Sequence, residues 1–522
     1  MDTKALRQKI LDLAIRGKLV PQDPNDEPAE VLLERIREQK QQMLKEGKLK
    51  KKDIKNDTII FKGEDNLHYE KFQDGTVKCI EDEIPFEVPE GWSWCRLISL
   101  SIKIGAGSTP TGGAAVYTTS GIKFIRSQNV YDDGLFLDDV AYIPEEINQK
   151  KSGSIVKSKD ILLNITGGSI GRCALVSDDF DIANVNQHVM IIRLANLELR
   201  KYIHSVVISP YIQEQIISRQ VGSGRGGLSA ETLSTFLIPL PPLNEQVSIN
   251  RKLNECISQV LAIADAKCNI FNLIIATKSK ILDLAIRGKL VPQDPNDEPA
   301  SVLLERIRTE KEELIKQGKI KRDNKESVIF KGDDNSYYEK VGNKVNCIDE
   351  EIPFELPEGW TFIRLKTAWE LISGRDLSPS EYNDKNDGIP YITGASNFRN
   401  GHICLVRWTT VPQVITRRGD LLLTCKGTIG EIAHNNFGEA HIARQIMAIR
   451  NNYSLNVDFL ALCIEYSMTK IKQAAKGLIP GISREDILNL VIPIPPTKEQ
   501  ENICSKLKAT FSAIEHIEKS LN

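Results

Sequence analysis

Arginine, glutamine and asparagine side chains gathered at glycine turns carry most of the chemistry on offer in this sequence. In GIKFIRSQNVYDDG, Arg126, Gln128 and Asn129 follow an apolar run that reads as a strand end. Arg172 follows the turn TGGSIG, and Arg225 sits inside GSGRGG. Farther along, GIPYITGASNFRNG offers Asn397 and Arg399, Lys426 precedes a GTIG turn, and Lys476 opens KGLIPG, a loop corresponding to that of Arg225. Arginine and the side-chain amides present planar forks that bond bidentately to guanine and adenine edges, whereas lysine more often meets phosphate. An ordinary surface role is the alternative reading for each residue, and the glycines are turn formers first.

Catalytic chemistry has no comparable signature. GAGSTPTGG lacks the lysine of a phosphate-binding P-loop, no [ND]PP[FY] methyltransferase motif occurs, and no PD…(D/E)xK nuclease set is present. His434 and His441 lack helical context and a carboxylate partner, a weak metal pair. The ten cysteines include no CxxC, which fits reduced thiols better than disulfides or zinc. Met1 to Ile15 reads as a charged amphipathic helix without the features of a signal peptide. No unbroken run approaches the roughly 18 apolar residues of a membrane span, so a cytoplasmic chain with no membrane partner is expected. The net charge of −2 argues against binding nucleic acid by bulk electrostatics. DNA binding would need locally segregated charge or a partner that supplies backbone contacts.

The elements that position these residues are duplicated. ILDLAIRGKLVPQDPNDEPAEVLLERIR (Ile10 to Arg37) recurs at Ile281 to Arg308 with one change, Glu30 against Ser301. IIFKGEDNLHYEK (from Ile59) pairs with VIFKGDDNSYYEK (from Val328), and CIEDEIPFEVPEGW (from Cys79) with CIDEEIPFELPEGW (from Cys347). FLIPLPPLNEQ (from Phe236) pairs with LVIPIPPTKEQ (from Leu490). The period of about 270 residues is too long for a solenoid, so a domain and its mount are duplicated together. Between the matched blocks the similarity is sparse. KDILLNITGGSIGRCALV resembles GDLLLTCKGTIGEIAHN, and each region ends in a glycine loop before a short helix N-capped by Ser229 or Ser483, with Glu231 or Asp486 in the first turn. The inserts read as one fold with different surfaces.

Leu243 to about Ile286 has neither proline nor glycine and carries a stripe of Ile249, Leu253, Ile257, Val260, Ala264, Phe271, Ile274, Ile281 and Ala285. Such a helix is about 65 Å long and wants an antiparallel partner; a plain core helix is the alternative. From Thr497 a second copy begins, with Ile503, Leu507, Ile514, Ile517 and Leu521, and its missing remainder matches Met1 to Gly17. The expectation is a pseudo-twofold, circular arrangement in which the chain ends complete a second rod. The charged stretch Glu34 to Lys55 holds nine basic and four acidic residues and reads as a solvated helix face and linker, with a phosphate or partner contact as the alternative.

The order PEGW, variable region, IPLPPLNEQ, long helix, and then the whole pattern again resembles the specificity subunits of Type I restriction-modification systems over essentially the entire chain. That resemblance implies an α+β fold with two globular target recognition domains separated by long antiparallel scaffold helices. Domains follow as an N-terminal scaffold segment (1–92), a first recognition domain (93–242), a central helix (243–288), a repeated linker (289–360), a second recognition domain (361–496) and a C-terminal helix (497–522). It also implies noncatalytic recognition of an asymmetric, bipartite double-stranded DNA sequence and docking of two methyltransferase subunits, joined in a cleaving complex by two restriction subunits. S-adenosylmethionine, and ATP with Mg where restriction subunits are present, belong to those partners; no cofactor is expected in this chain. A protein-interaction scaffold with heads that bind no DNA, and a stand-alone enzyme, are the rival readings.

Overall fold

The structure, a computed structural model, describes residues 2–220, 226–318, 326–399, 401–453, 455–474 and 481–521, the side chains of 469–474 excepted. The chain divides into two units, residues 1–267 and 268–522.

The first unit opens with helix Thr3–Ile15, whose N-cap Asp2 accepts from the amides of Lys4 and Ala5. Gly17 ends it in the left-handed conformation at φ +65°, and a Cβ there would lie 2.3 Å from Pro89. Helix Ala29–Lys45 follows, then an antiparallel meander of Ile59–Lys62, His68–Lys71 and Val77–Cys79. The second unit repeats these parts as the end of the central helix, helix Ala300–Lys316, and the meander Ser327–Lys331, Tyr337–Val341 and Lys344–Cys347.

Each meander is tied to the head that follows by a buried arginine. Arg96 bonds bidentately to Glu70 at 3.0 and 2.6 Å, and Arg364 does the same with Glu339 at 3.1 and 2.7 Å. In each head the first strand pairs antiparallel with the last: Ser93–Arg96 with Leu237–Leu240, and Thr361–Arg364 with Val491–Ile494. This pairing brings PEGW beside the helix-opening PP-x-x-EQ. Trp92 Nε1 then donates to Glu245 Oε2 at 2.8 Å, while Gln22 Nε2 donates to Glu245 Oε1 at 3.1 Å. In the second unit Trp360 and Gln293 meet Glu499 at 2.9 and 3.1 Å. Burial holds the Glu245 and Glu499 carboxyls above their ordinary range, against the pull of those hydrogen bonds. The three repeated motifs are therefore the parts of one clamp, built twice.

The central helix is Leu243–Ile286, as the stripe predicts. In the first unit the N-terminal helix runs antiparallel to it: Gln22 lies at Glu245, Arg7 shares a cleft with Leu253 and Ile257, and Lys267 reaches Asp2 electrostatically. In the second unit the C-terminal helix Thr497–Leu521 does likewise, with Glu499 at Gln293 and Glu518 on Lys278 at 2.8 Å. Ile503, Leu507 and Ile514 are buried as the stripe requires, but Ile517 is 51% exposed.

The central helix adds a finding, and one further expectation needs correction. The central helix carries an 18-residue window with a mean hydropathy of 1.5, so among the described residues it is one helix long and apolar enough, by length and composition, to cross a membrane. The window is not an unbroken apolar run, since Asp265, Lys267, Asn269 and Asn272 interrupt it. Leu261, Leu273 and Ile275 are exposed, which is not the burial of a core helix. Lys40, in the stretch read as a solvated face, is 1% exposed. Its ammonium meets Asp57 at 2.6 Å and donates to the Ile98 carbonyl at 3.1 Å. Burial raises the Asp57 carboxyl to about 6, against the opposing pull of Lys40.

Candidate nucleic-acid interface

Both heads are built from the same two antiparallel-dominated sheets. In the first, Cys173–Leu175, Ile161–Asn164, Val189–Leu194 and Ser101–Ala106 lie in that order, as do Ile432–His434, Leu421–Thr424, Ile446–Asn451 and Trp369–Ser373 in the second head. The other sheet orders Ile155–Val156, Ala183–Val185, Ile122–Ile125 and Ala141–Ile143. Its counterpart orders Ile415–Thr416, Ala440–Ile442, Ile389–Ile392 and Trp408–Thr409. In each, one parallel pair stands at the same place, Ala183–Val185 with Ile122–Ile125 and Ala440–Ile442 with Ile389–Ile392. Ile161, Leu162 and Leu163, like Leu421, Leu422 and Leu423, are buried on both faces. A partly buried bidentate pair braces each frame: Arg193 on the buried Asp160 at 2.7 and 2.7 Å, and Arg450 on the buried Asp420 at 3.1 and 2.9 Å.

The candidate residues fall on the loops of these frames. Arg126 follows strand Ile122–Ile125 directly and is partly buried; it donates to the Asp139 carbonyl at 2.9 Å, and its Nε is buried without a hydrogen-bond partner. Gln128 is exposed and touches Asp139. Asn129 is fully buried instead: its Oδ1 accepts from the Arg126 amide at 3.0 Å and its Nδ2 donates to the Phe136 carbonyl at 2.9 Å. Asn397 repeats this role, accepting from Thr393 N at 3.0 Å and donating to the Cys404 carbonyl at 2.8 Å. In each head an asparagine staples the strand end to the carbonyl seven residues on, so its amide shapes the loop and is not displayed. Arg399 is exposed on the hairpin that follows, where it pairs with His402.

Asn164 joins two of these loops, donating from Nδ2 to the Ser127 carbonyl at 2.7 Å and to Ser169 Oγ at 3.2 Å. Arg126, Gln128, Asn129 and Arg172 thus belong to one loop cluster, in which the Arg172 guanidinium lies 4.5 Å from the centre of the Tyr131 ring. In the second head hairpin strand His402–Ile403 packs against Ile432–His434, and Lys426 is exposed at the neighbouring turn. Arg225 and Lys476 lie outside the described residues. The described ends of their loops are pinned in the same way, Leu228 N to the Ile165 carbonyl and Ile482 N to the Cys425 carbonyl, both at 2.9 Å. Ser229 and Ser483 cap the following helices as expected, accepting from Thr232 N and Asp486 N.

The motifs leave out two pairs of turns beside these loops, exposed but for the half-buried His188: Ser108–Thr109 with Gln187–His188, and Arg375–Asp376 with Arg444–Gln445. No motif marks them, although aligning ANVNQHVM with AHIARQIM sets Gln187 against Arg444. His434 and His441 do not converge. His441 is buried, with its ring nitrogens on Val414 and the Arg375 carbonyl, while His434 faces Asp458 at 3.5 Å. Among the described residues no group of three or more His, Cys, Asp and Glu is placed to hold a metal.

Two heads of one topology, tipped with different polar loops and mounted on matching clamps, define a two-headed recognition protein. The model of the Type I restriction modification DNA specificity domain matches residues 89–267 and 357–522, and the chain belongs to that family. It is 27% identical to the Type I restriction enzyme EcoAI specificity subunit of Escherichia coli, over 97% of this chain and 88% of that one. With the EcoEI specificity subunit of the same species the identity is 26%, over 99% and 90%. A solved structure described as "Structural basis underlying complex assembly and conformational transition of the type I R-M system" shares the fold at a TM-score of 0.57, with 19% identity over 84% of this chain and 94% of that one. The chain is a noncatalytic DNA-specificity subunit of a Type I restriction-modification system.

Proposed function

We propose that the two heads read the two halves of one asymmetric, split duplex sequence, and that the helices set the distance between the halves. The observation that carries this reading is the contrast within the chain: the Trp92–Glu245–Gln22 clamp recurs as Trp360–Glu499–Gln293, whereas the loops on the heads differ. A mount used twice must keep its geometry; heads that read different bases must not keep their surfaces. Linking two weak readers raises the effective concentration for the second half-site and fixes the gap. The near-neutral net charge fits a complex in which partners supply much of the backbone contact. Those partners are two methyltransferase subunits carrying S-adenosylmethionine, joined in a cleaving complex by two restriction subunits that use ATP and Mg. This reading assigns the chain to the cytoplasm and the apolar central helix to protein contacts.

Selection from random duplexes by the assembled chain and methyltransferase subunits tests the reading. Enrichment of two dissimilar short motifs at one constant gap is expected. Enrichment of no split motif would overturn it and favour a scaffold whose heads bind other proteins.

A further inference from the structure

We propose that one pair of facing turns determines specificity in each head, with Gln187 reading an adenine in the first half-site and Arg444 a guanine in the second. This inference rests on the DNA-reading function proposed above and names the residues that perform it.

The two heads place these turns on the same backbone. Strand Ser101–Ala106 runs beside Val189–Leu194, and Gly107 N donates to the Val189 carbonyl at 3.2 Å. Strand Trp369–Ser373 runs beside Ile446–Asn451, and Gly374 N donates to the Ile446 carbonyl at 3.0 Å. Both glycines are forced by close approach, since a Cβ would lie 1.9 Å from the Val185 oxygen or 2.1 Å from the Ala443 oxygen. Two exposed residues follow each glycine, then a buried one, Pro110 or Leu377. The opposing turns leave the buried strands Ala183–Val185 and Ala440–Ile442 and return into Val189–Leu194 and Ile446–Asn451.

On this common frame the side chains differ in kind. In the first head Thr109 Oγ1 contacts Gln187, Gln187 Nε2 lies 3.0 Å from His188 Nε2, and His188 Nδ1 lies 2.5 Å from Thr166 Oγ1. In the second, Asp376 Oδ2 holds Arg444 Nε at 2.6 Å, and Asp376 Oδ1 accepts from the Arg444 amide at 3.1 Å. Arg444 is 68% and Asp376 44% exposed. Such an exposed pair adds little to stability. A carboxylate on Nε instead orients the guanidinium and leaves both Nη groups for a ligand. Two parallel N–H donors match O6 and N7 of guanine, and a glutamine amide matches N6 and N7 of adenine. Asp376, Thr109 and His188 are positioning residues. The frame is fixed by the glycines, so the reading residues can change without refolding the head.

The test is random-duplex selection and methylation by the assembled complex, with Arg444→Ala, Gln187→Ala, and the graft Asp376→Thr with Arg444→Gln. Arg444→Ala is expected to relax a guanine preference at one position of one half-site by about 5- to 100-fold and to leave the other half unchanged. Gln187→Ala is expected to relax an adenine preference in the other half, and the graft to move the Arg444 position from guanine toward adenine. Because these residues are exposed, thermal unfolding should be unchanged. A split motif from the parent complex that survives all three variants unaltered overturns this inference alone. Weaker binding of every sequence alike also overturns it, since that marks a phosphate contact. A parent complex that enriches no split motif overturns the underlying function instead.

Discussion

Trp92 and Glu245 are 153 residues apart in the chain, and the indole N–H donates to the carboxylate at 2.8 Å in a buried setting. That bond locks the start of the first head to the start of the central helix, and Trp360 with Glu499 repeats it at 2.9 Å. Glu245→Ala would leave the Trp92 N–H buried without an acceptor, while the Gln22 amide keeps the Gly17 and Val20 carbonyls. The expected cost is about 1–3 kcal/mol, read as a lower unfolding midpoint in denaturant. A cost near zero would mean that the clamp does not hold the head.

The same carboxyls give a pH dependence of defined sign. Burial raises Glu245 and Glu499 above the ordinary 4.5, so each holds its proton in the folded chain at a pH where the unfolded chain has lost it. The stability this contributes is fully present below about 4.5 and is lost as pH rises through the folded value. The parent chain should therefore lose stability relative to Glu245→Gln/Glu499→Gln as pH increases from 4.5, measured by thermal unfolding in a pH series. A difference that grows in the opposite direction contradicts the assignment.

Lys40 and Asp57 are 1% and 5% exposed, so removing one partner strands a buried charge. Lys40→Met alone is expected to cost about 3–5 kcal/mol, whereas Lys40→Met with Asp57→Leu is expected to cost far less. Equal costs for the single and double variants in denaturant unfolding would argue against a desolvated pair.

Much of the mount was legible because a repeated clamp repeats its motifs: PEGW supplies Trp92, VPQDP supplies Gln22, and PP-x-x-EQ supplies Glu245. Their meeting was not legible, because it depends on the pairing of Ser93–Arg96 with Leu237–Leu240 across the whole head. Asn129 and Asn397 read as displayed amides because an asparagine amide in a loop near a strand end can match an adenine edge. Only the fold shows their bonds to the carbonyls of Phe136 and Cys404. Lys40 sat in a basic run, and nothing local shows that Asp57 and the Ile98 carbonyl would enclose it. Thr109 and Gln187 are 78 positions apart and join only where strands Ser101–Ala106 and Val189–Leu194 pair.

The helix as a ruler makes a quantitative claim. Deleting seven residues from the exposed middle of Leu243–Ile286 shortens it by about 10.5 Å, or roughly three base pairs of duplex. Selection with the assembled complex should return a correspondingly shorter gap, or assembly should fail. Recovery of the original gap would contradict the ruler role.

Exchanging residues 97–236 for the same segment of a relative tests whether two heads on repeated mounts read DNA independently. This exchange leaves both paired strands and both clamps in place. The readout is the methylated sequence of the assembled complex. One half-site is expected to change while the other half-site and the gap are retained. A change in both halves would contradict that independence.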